Sequence, residues 1–554
     1  MPDDKCLSTA ANSMSNLSKH LSAQHGNTKL VAKDPAHRSF ERVTHHQLTP
    51  PKQAKLFSSL GVQQVTQNEM NRLVAGFIVE DMLPLSTIES PRFRKILDKI
   101  PATRKPTSDR KTFSHYMDKC YSDMESKLKR TFESLDHVCT TADIWSANNK
   151  SYLGMDWIDG ISFKREKAAL ACKRVRGRHT YDVIASEIEQ VHSSFGLSHK
   201  VTACVTDNGS NFVKPSDEEG EEQVTFTDVA EALSTESDET FSLPPHLHCA
   251  SHTLKNDLEK WLTSNNDCRA VYRSALAKCA TVWTKTSRST VASDQVEDVL
   301  KRKLIIPTAT RWNSTHDVLS LITEIPIRDL NTIFSRLSVK SITEREYQFL
   351  KEYCAVLSPL AAALDILQRE DDCYYGTLLP TLEILMSKLL ALKDAYYFIS
   401  QAIKDRFASV LDSKDALMAA ATMPKLKVRW LKDEKRRDAV KTMLISECRV
   451  QIPEEPLMRP AVQSPFSYTA ETEVMEYLKM PGSDWEVLSR FPRIKEIAKQ
   501  YNTPIPSSAL VERLFSLGSI VLTPRRNRLS DKRFERLLLL QYNLISSEVT
   551  FQMQ

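Results

Sequence analysis

The sequence predicts an α/β domain joined to a long all-α stretch, and three observations carry that prediction. Between residues 135 and 213, short β-leaning apolar segments are separated by turn signals and by one amphipathic helix. From 253 to 485 the periodicity becomes helical, with no repeat of fixed length. Glycine is scarce, at 12 of 554 residues. That scarcity argues against many-turned all-β architectures and against glycine-rich phosphate cradles. Neither G-x-x-x-x-G-K-[ST] nor G-x-G-x-x-G occurs, which argues against a nucleotide-cradling kinase or dehydrogenase.

Taken in chain order, residues 1–28 hold His20 and His25 with Cys6 upstream. A zinc site needs four ligands, so Cys6, His20 and His25 make an incomplete set. Residues 29–64 read as a linker. Residues 65–134 read as helical. Thr66 followed three residues on by Glu69 is a capping signal, and Leu73, Phe77 and Ile78 have helical spacing.

Residues 135–252 carry the predicted strands in DHVCTTADIW, SYLGMDWIDGISF, REKAALACKRV and HKVTACVTDNGSNF, with a helix over 180–195. Within this region, 216–241 hold ten Asp/Glu and no Lys/Arg and read as a disordered acidic loop. The chain's net charge of +5 therefore hides a basic remainder ten charges more positive, which suits a polyanionic partner. Residues 253–485 read as a helical insertion. Residues 486–548 hold two helices around a basic turn.

In that last block, Leu537–Leu540 are too apolar for a solvated face and pack inside the fold, against a second copy, or both. Arg525, Arg526, Arg528, Lys532, Arg533 and Arg536 form a basic cluster that suits phosphate contact or a solvated turn. Eleven cysteines, an odd number with no C-x-x-C pair, fit reduced thiols in the nucleus or cytosol. No unbroken apolar run of about 18 residues occurs, so no membrane span is read. The N-terminus lacks a signal-peptide pattern.

Three acids stand out by context. Asp143 follows HVCTTA, Asp207 follows ACVT, and Glu512 lies in a helix starting near Ser507 or Ser508. Two strand-end aspartates in one sheet converge, and a packed helix adds a third carboxylate. Such an all-oxygen set suits Mg²⁺, and a two-metal pair serves phosphoryl transfer. Each acid also has a plainer reading: a turn at Asp207-Asn208-Gly209, a strand-end cap at Asp143 and a surface helix acid at Glu512.

The blocks TTADIWSANNKSYLGM, VTDNGSNFVK, HCASHTLK, TRWNST and SSALVERLFSLGSIVLTPRRNRLSDKRFERLLLLQYN, in that order, resemble the hAT transposase superfamily. Within it they resemble the vertebrate zinc-finger BED domain-containing proteins, from NLSKHLSAQH to LLLLQYN. The resemblance implies a ribonuclease-H-like fold interrupted by a large helical insertion and closed by a C-terminal hAT dimerisation region. It implies that Asp143, Asp207 and Glu512 occupy the acidic catalytic triad, with Mg²⁺ or Mn²⁺ as cofactor.

Cys249 and His252 match the family's Cys-x-x-His motif, read as structural positioning or as half a metal site with His246 and His248 nearby. Arg311 and Trp312 match its Arg-Trp motif, whose tryptophan stacks a flipped base; a core anchor is the alternative. Arg525, Arg526 and Arg528 join them as DNA-contact candidates. A BED finger needs two cysteines before its histidines, so Zn²⁺ is implied only for a complete finger.

The implied protein is nuclear and DNA-binding, assembles as a homodimer or higher oligomer, and is a domesticated transcription regulator. It acts on no membrane or small-molecule substrate. An active transposase performing metal-dependent strand cleavage and transfer is the alternative. Some relatives are described as SUMO ligases, a role that no RING-type cysteine array supports here.

Overall fold

The computed structural model describes residues 65–101, 109–147, 150–159, 163, 165–207, 244–255, 266–307, 313–369, 372–392, 397–451, 469–522 and 529–546. Cys6, His20, His25, the acidic stretch 216–241, Arg311, Trp312, Arg525, Arg526 and Arg528 lie outside the described residues.

Helix α1 (Gln67–Glu80) begins at Thr66, whose hydroxyl accepts the Glu69 N–H at 3.2 Å. A 3-10 turn (Leu85–Glu89) leads into α2 (Pro91–Leu97), with proline in the first helical turn, where no N–H is needed. The Val65 N–H donates to the Pro101 carbonyl at 3.0 Å, so the chain after α2 returns beside the start of α1. Helix α3 (Arg110–Glu133) is capped by Asp109, whose carboxylate accepts the Thr112 N–H at 2.8 Å.

Strands β1 (Val138–Ala147), β2 (Lys150–Asp159), β3 (Lys167–Val175), β4 (Val201–Thr206) and β5 (His246–His248) form one sheet in the order β3-β2-β1-β4-β5. The first three pair antiparallel, while β4 pairs parallel with β1 and β5 parallel with β4. Helix α4 (Tyr181–Ser194) links β3 to β4 and buries Ile184, Ile188 and Val191 against Val138, Leu153 and Ala171. The opposite sheet face presents Tyr152 and Cys172 to α17 (Ala509–Val521) and α18 (Asp531–Ser546). Leu153 and Tyr152 thus serve two separate cores, as alternation along a strand requires.

Strand β3 is a sheet edge, and α18 occupies it. The Asn543 side chain accepts the Ala169 N–H at 2.8 Å and donates to the Ala169 carbonyl at 3.1 Å. Glu535 accepts the Cys172 N–H at 3.2 Å. Polar groups that would otherwise invite another strand are satisfied by one helix.

Between β5 and α17 runs the helical insertion. Its helices are α5 (Asn266–Arg288), α6 (Thr290–Leu300), α7 (Ser314–Thr323), α8 (Ile327–Arg336), α9 (Glu344–Leu367), α10 (Leu378–Leu392), α11 (Tyr397–Arg406), α12 (Ala408–Leu411), α13 (Lys414–Thr422), α14 (Glu434–Gln451), α15 (Ala470–Lys479) and α16 (Pro492–Asn502). They share one core that includes Leu350, Leu382, Leu444, Val474 and Ile494. Thr343 and Glu346 close a reciprocal capping box at α9. Glu346 also pairs with Lys278 of α5 at 2.6 Å in a nearly dry setting. The segment Tyr375–Leu392 is long and apolar enough to cross a membrane by composition, although the sequence suggested no such span. Its Leu379, Leu382, Leu385 and Leu389 are buried in the insertion core, which accounts for its apolar character.

The four longer strands and α4 fall where their sequence patterns place them. Strand β5 does not announce itself, because three residues carry no periodicity. Leu537–Leu540 are all buried within this chain. The basic cluster divides. Arg533 donates to the Ser114 hydroxyl, and Arg536 pairs with Asp118 while lying over the Tyr121 ring. These two arginines tie α18 to α3 rather than form part of an open phosphate-binding run, whereas Lys532 is exposed.

Candidate functional site

The site is built where β1 and β4 run side by side. Ala142 pairs with Thr206 in parallel register, so Asp143 and Asp207, each one residue further on, stand next to each other. The Ile144 N–H donates to Asp143 Oδ1 at 2.6 Å and orients that carboxyl.

Helix α17 brings the third acid. It packs on β1 and β2, and its depth is set by Gly154, the cross-strand partner of Asp143. A β-carbon at Gly154 would lie 2.6 Å from Phe515 and 2.8 Å from Val511. Only a residue without a side chain lets α17 rest on the strand backbone here. Trp145 then stacks on Phe515 with centroids 5.6 Å apart. Glu512, between Val511 and Phe515, is delivered to the aspartates. Arg165 fixes the approach to α17 by donating to the Asn502, Thr503 and Pro504 carbonyls.

The fourth member is His252, from the helical turn at 250–255 that follows β5. Its Nε2 lies 3.9 Å from Glu512 Oε1. The Cys249 N–H extends the β4–β5 ladder by donating to Thr206, and the Ala250 N–H donates to the Pro506 carbonyl at 2.8 Å. Cys249 Sγ is fully buried, accepts the Ser508 N–H at 3.4 Å and lies 3.7 Å from the Ser507 hydroxyl. The Cys-x-x-His pair therefore joins β5 to the start of α17.

Electrostatics follow from this crowding. Burial, and then the Asp207 carboxylate, push the Asp143 carboxyl up to about 7. Ile144 N–H and His252 oppose the shift, and Glu512 adds to it. Burial is the largest influence on Cys249 and His252 and disfavours charge on both, but the hydrogen bond and charge attraction between them, joined by Ser508 at the thiol and by Glu512 and Asp207 at the imidazole, together outweigh it. The thiol is held below its ordinary value and the imidazole above. Glu512 and Asp207 reinforce the imidazolium. His246, by contrast, is pushed down to about 4 by burial and by His248, and its Nε2 lies 2.6 Å from the Thr206 hydroxyl.

The donor set is oxygen-rich and negatively charged, which is the chemistry a hard divalent cation takes. The side chains are not gathered around one point: among the described residues, no three His, Cys, Asp or Glu form a group that could hold a metal ion as they stand.

The structure thus brings Asp143, Asp207, Glu512, Cys249 and His252 into one neighbourhood. Sequence reasoning missed Gly154 and Phe515. The signal was present in SYLGMDW, because an isolated glycine inside a strand marks close backbone approach.

Residues 451–544 match the hAT family C-terminal dimerisation region. The matched span starts before the boundary at 486 drawn from sequence and includes α15, α16, α17 and most of α18, together with Glu512. No curated protein matches the chain. The C-terminal match supports a hAT transposase-related protein that carries a dimerisation region.

Proposed function

We propose that this protein is a nuclear, self-associating DNA-binding protein of hAT descent that regulates transcription. The dimerisation-region match carries the reading, because a two-fold assembly offers two equivalent surfaces to a palindromic duplex. The basic remainder outside 216–241 supplies attraction for phosphate. The strand order β3-β2-β1-β4-β5, antiparallel then parallel, supports a ribonuclease-H-like core. Arg311, Trp312, Arg525, Arg526 and Arg528 are the proposed DNA contacts. Cys6, His20 and His25 would serve zinc only within a complete BED finger. The test is binding of purified protein to transposon-end and GC-rich palindromic duplexes across a salt series. Binding that weakens linearly in log–log form supports the reading, and no binding to any duplex overturns it.

A second reading, an active transposase, is favoured by one observation: Asp143 and Asp207 stand side by side just past the β1–β4 pairing, on the sheet face that α17 covers with Glu512. In this reading Asp143, Asp207 and Glu512 would hold Mg²⁺ or Mn²⁺. Such cations would supply Lewis-acid stabilisation of the attacking and leaving oxygens. The Ile144 N–H orients Asp143, and His252 stands 3.9 Å from Glu512. A strand-cleavage assay comparing wild type with Asp207→Asn decides it, since equal cutting by both removes the carboxylate mechanism.

A further inference from the structure

Helices α1 and α2 leave an apolar strip uncovered. Leu73, Phe77, Ile96 and Ile100 are exposed to 54%, 43%, 63% and 37%. Phe93 joins them by stacking on Phe77, with centroids 5.7 Å apart and ring planes 11° apart. The strip is continuous. Leu73 and Phe77 lie one turn apart on α1, and Phe93 and Ile96 about one turn apart on α2. The Val65–Pro101 hydrogen bond brings the chain after α2 back to the start of α1, so the two helices run antiparallel. Large apolar side chains concentrated in this way mark a contact surface.

The charges around the strip are sorted by helix. On α1 the exposed acids Glu69 and Glu80, with Asp81 following, outnumber the half-buried Arg72; on α2 the exposed bases Arg92 and Lys95, with the half-buried Arg94 and with Lys99 following, outnumber the exposed Asp98. A patch that is acidic on one side and basic on the other is complementary to itself when turned about a two-fold axis. Helix α1 of one copy then meets α2 of the next, and the apolar strips close on each other.

The other face of α1 is already committed. Val74, Ile78 and Val79 share a core with Leu514, Leu537 and Leu538 of α17 and α18. The Gln541 side chain donates to the Glu80 carbonyl at 2.8 Å. Both of those helices lie in the matched dimerisation region, so the strip is built on that region's own surface.

We propose that the strip formed by Leu73, Phe77, Phe93, Ile96 and Ile100 seats on its two-fold copy in a second molecule of this chain. The proposal rests on the self-association reading and is independent of DNA binding.

Sedimentation equilibrium of the full chain tests it. The double variant Phe77→Glu with Ile96→Glu weakens dimerisation about tenfold or more while its circular dichroism stays that of wild type. Charge reversal decides the matter should that variant fold poorly. Glu69→Lys with Glu80→Lys, or Arg92→Glu with Lys95→Glu, weakens association, and all four together in one chain restore it. Unchanged association in every variant of a dimeric wild type overturns the proposal. So does a loss of DNA binding without loss of association, which would assign the strip to DNA. A wild type monomeric at every concentration overturns the self-association reading itself.

Discussion

Gly154 and Phe515 meet so closely that the strand backbone and the ring leave no room for a β-carbon, which would fall 2.6 Å from the ring. The contact decides how deeply α17 sits on the sheet, and so where Glu512 stands relative to Asp143. Gly154→Ala forces the helix outward and costs about 1–3 kcal/mol by overpacking. Thermal melting measures the loss. Adding Phe515→Leu in the same chain recovers part of it, the coupling expected of two residues in direct contact.

Asp143 sets a pH dependence of defined sign. Burial and Asp207 raise its folded-state carboxyl to about 7 from an ordinary value of 3.8. Its contribution to stability is therefore full below about pH 4 and is lost as pH rises through about 7. Asp143→Asn removes the loss. The variant melts later than wild type at pH 8, by roughly 1–2 kcal/mol after allowance for solvent screening, and close to wild type at pH 4. Melts at the two pH values in a chelating buffer check this. Under the transposase reading, Mn²⁺ at pH 8 raises the melting point of wild type more than that of the variant.

Lys278 and Glu346 form a second sensitive point. The ion pair is 2.6 Å long, with both side chains at or below a tenth exposed. Burial works against the Glu346 charge, but Lys278, Ser274 and Thr343 outweigh it and hold the carboxyl down to about 2. Lys278→Met leaves that carboxylate without its cation and costs about 3–5 kcal/mol in denaturant unfolding at pH 7. For wild type, this stabilisation is present above the ordinary glutamate range and is lost as pH falls from about 4.5 through about 2.

Cys249 combines a lowered thiol pKa with complete burial. Reactivity needs access as well as thiolate character, so the folded chain protects it. Alkylation followed by peptide mass spectrometry finds Cys249 unmodified under native conditions and modified after unfolding. Cys249→Ala removes the acceptor of the Ser508 N–H and lowers stability by about 1–2 kcal/mol.

Much of this arrangement is legible in the sequence. Asp143 and Asp207 each lie one residue beyond the last position at which β1 pairs with β4, and apolar runs reveal those strands. Asp143 nevertheless stands mid-strand, paired with Gly154, and not at the strand end its sequence context suggests, because β2 continues the pairing past it. Thr66 and Glu69 mark the start of α1. Other features are not local. The glycine in SYLGMDW signals close approach but does not name Phe515, which is hundreds of residues away. Arg533 and Arg536 read as part of a charge run, because nothing near them shows that Ser114 and Asp118 on α3 engage them. Strand β5 owes its existence to its neighbour β4 rather than to its own three residues.

The clasp of Asn543 on Ala169 has a consequence for biosynthesis. The two residues are 374 positions apart. At 5–20 residues per second a ribosome needs roughly 20–75 s to travel that distance. Through that interval the outer border of the nascent sheet and its Tyr152 face await a helix that emerges almost last. The border of β3 therefore stays open to pairing until α18 arrives, and a premature stop before residue 531 leaves that border uncovered and prone to edge-to-edge association.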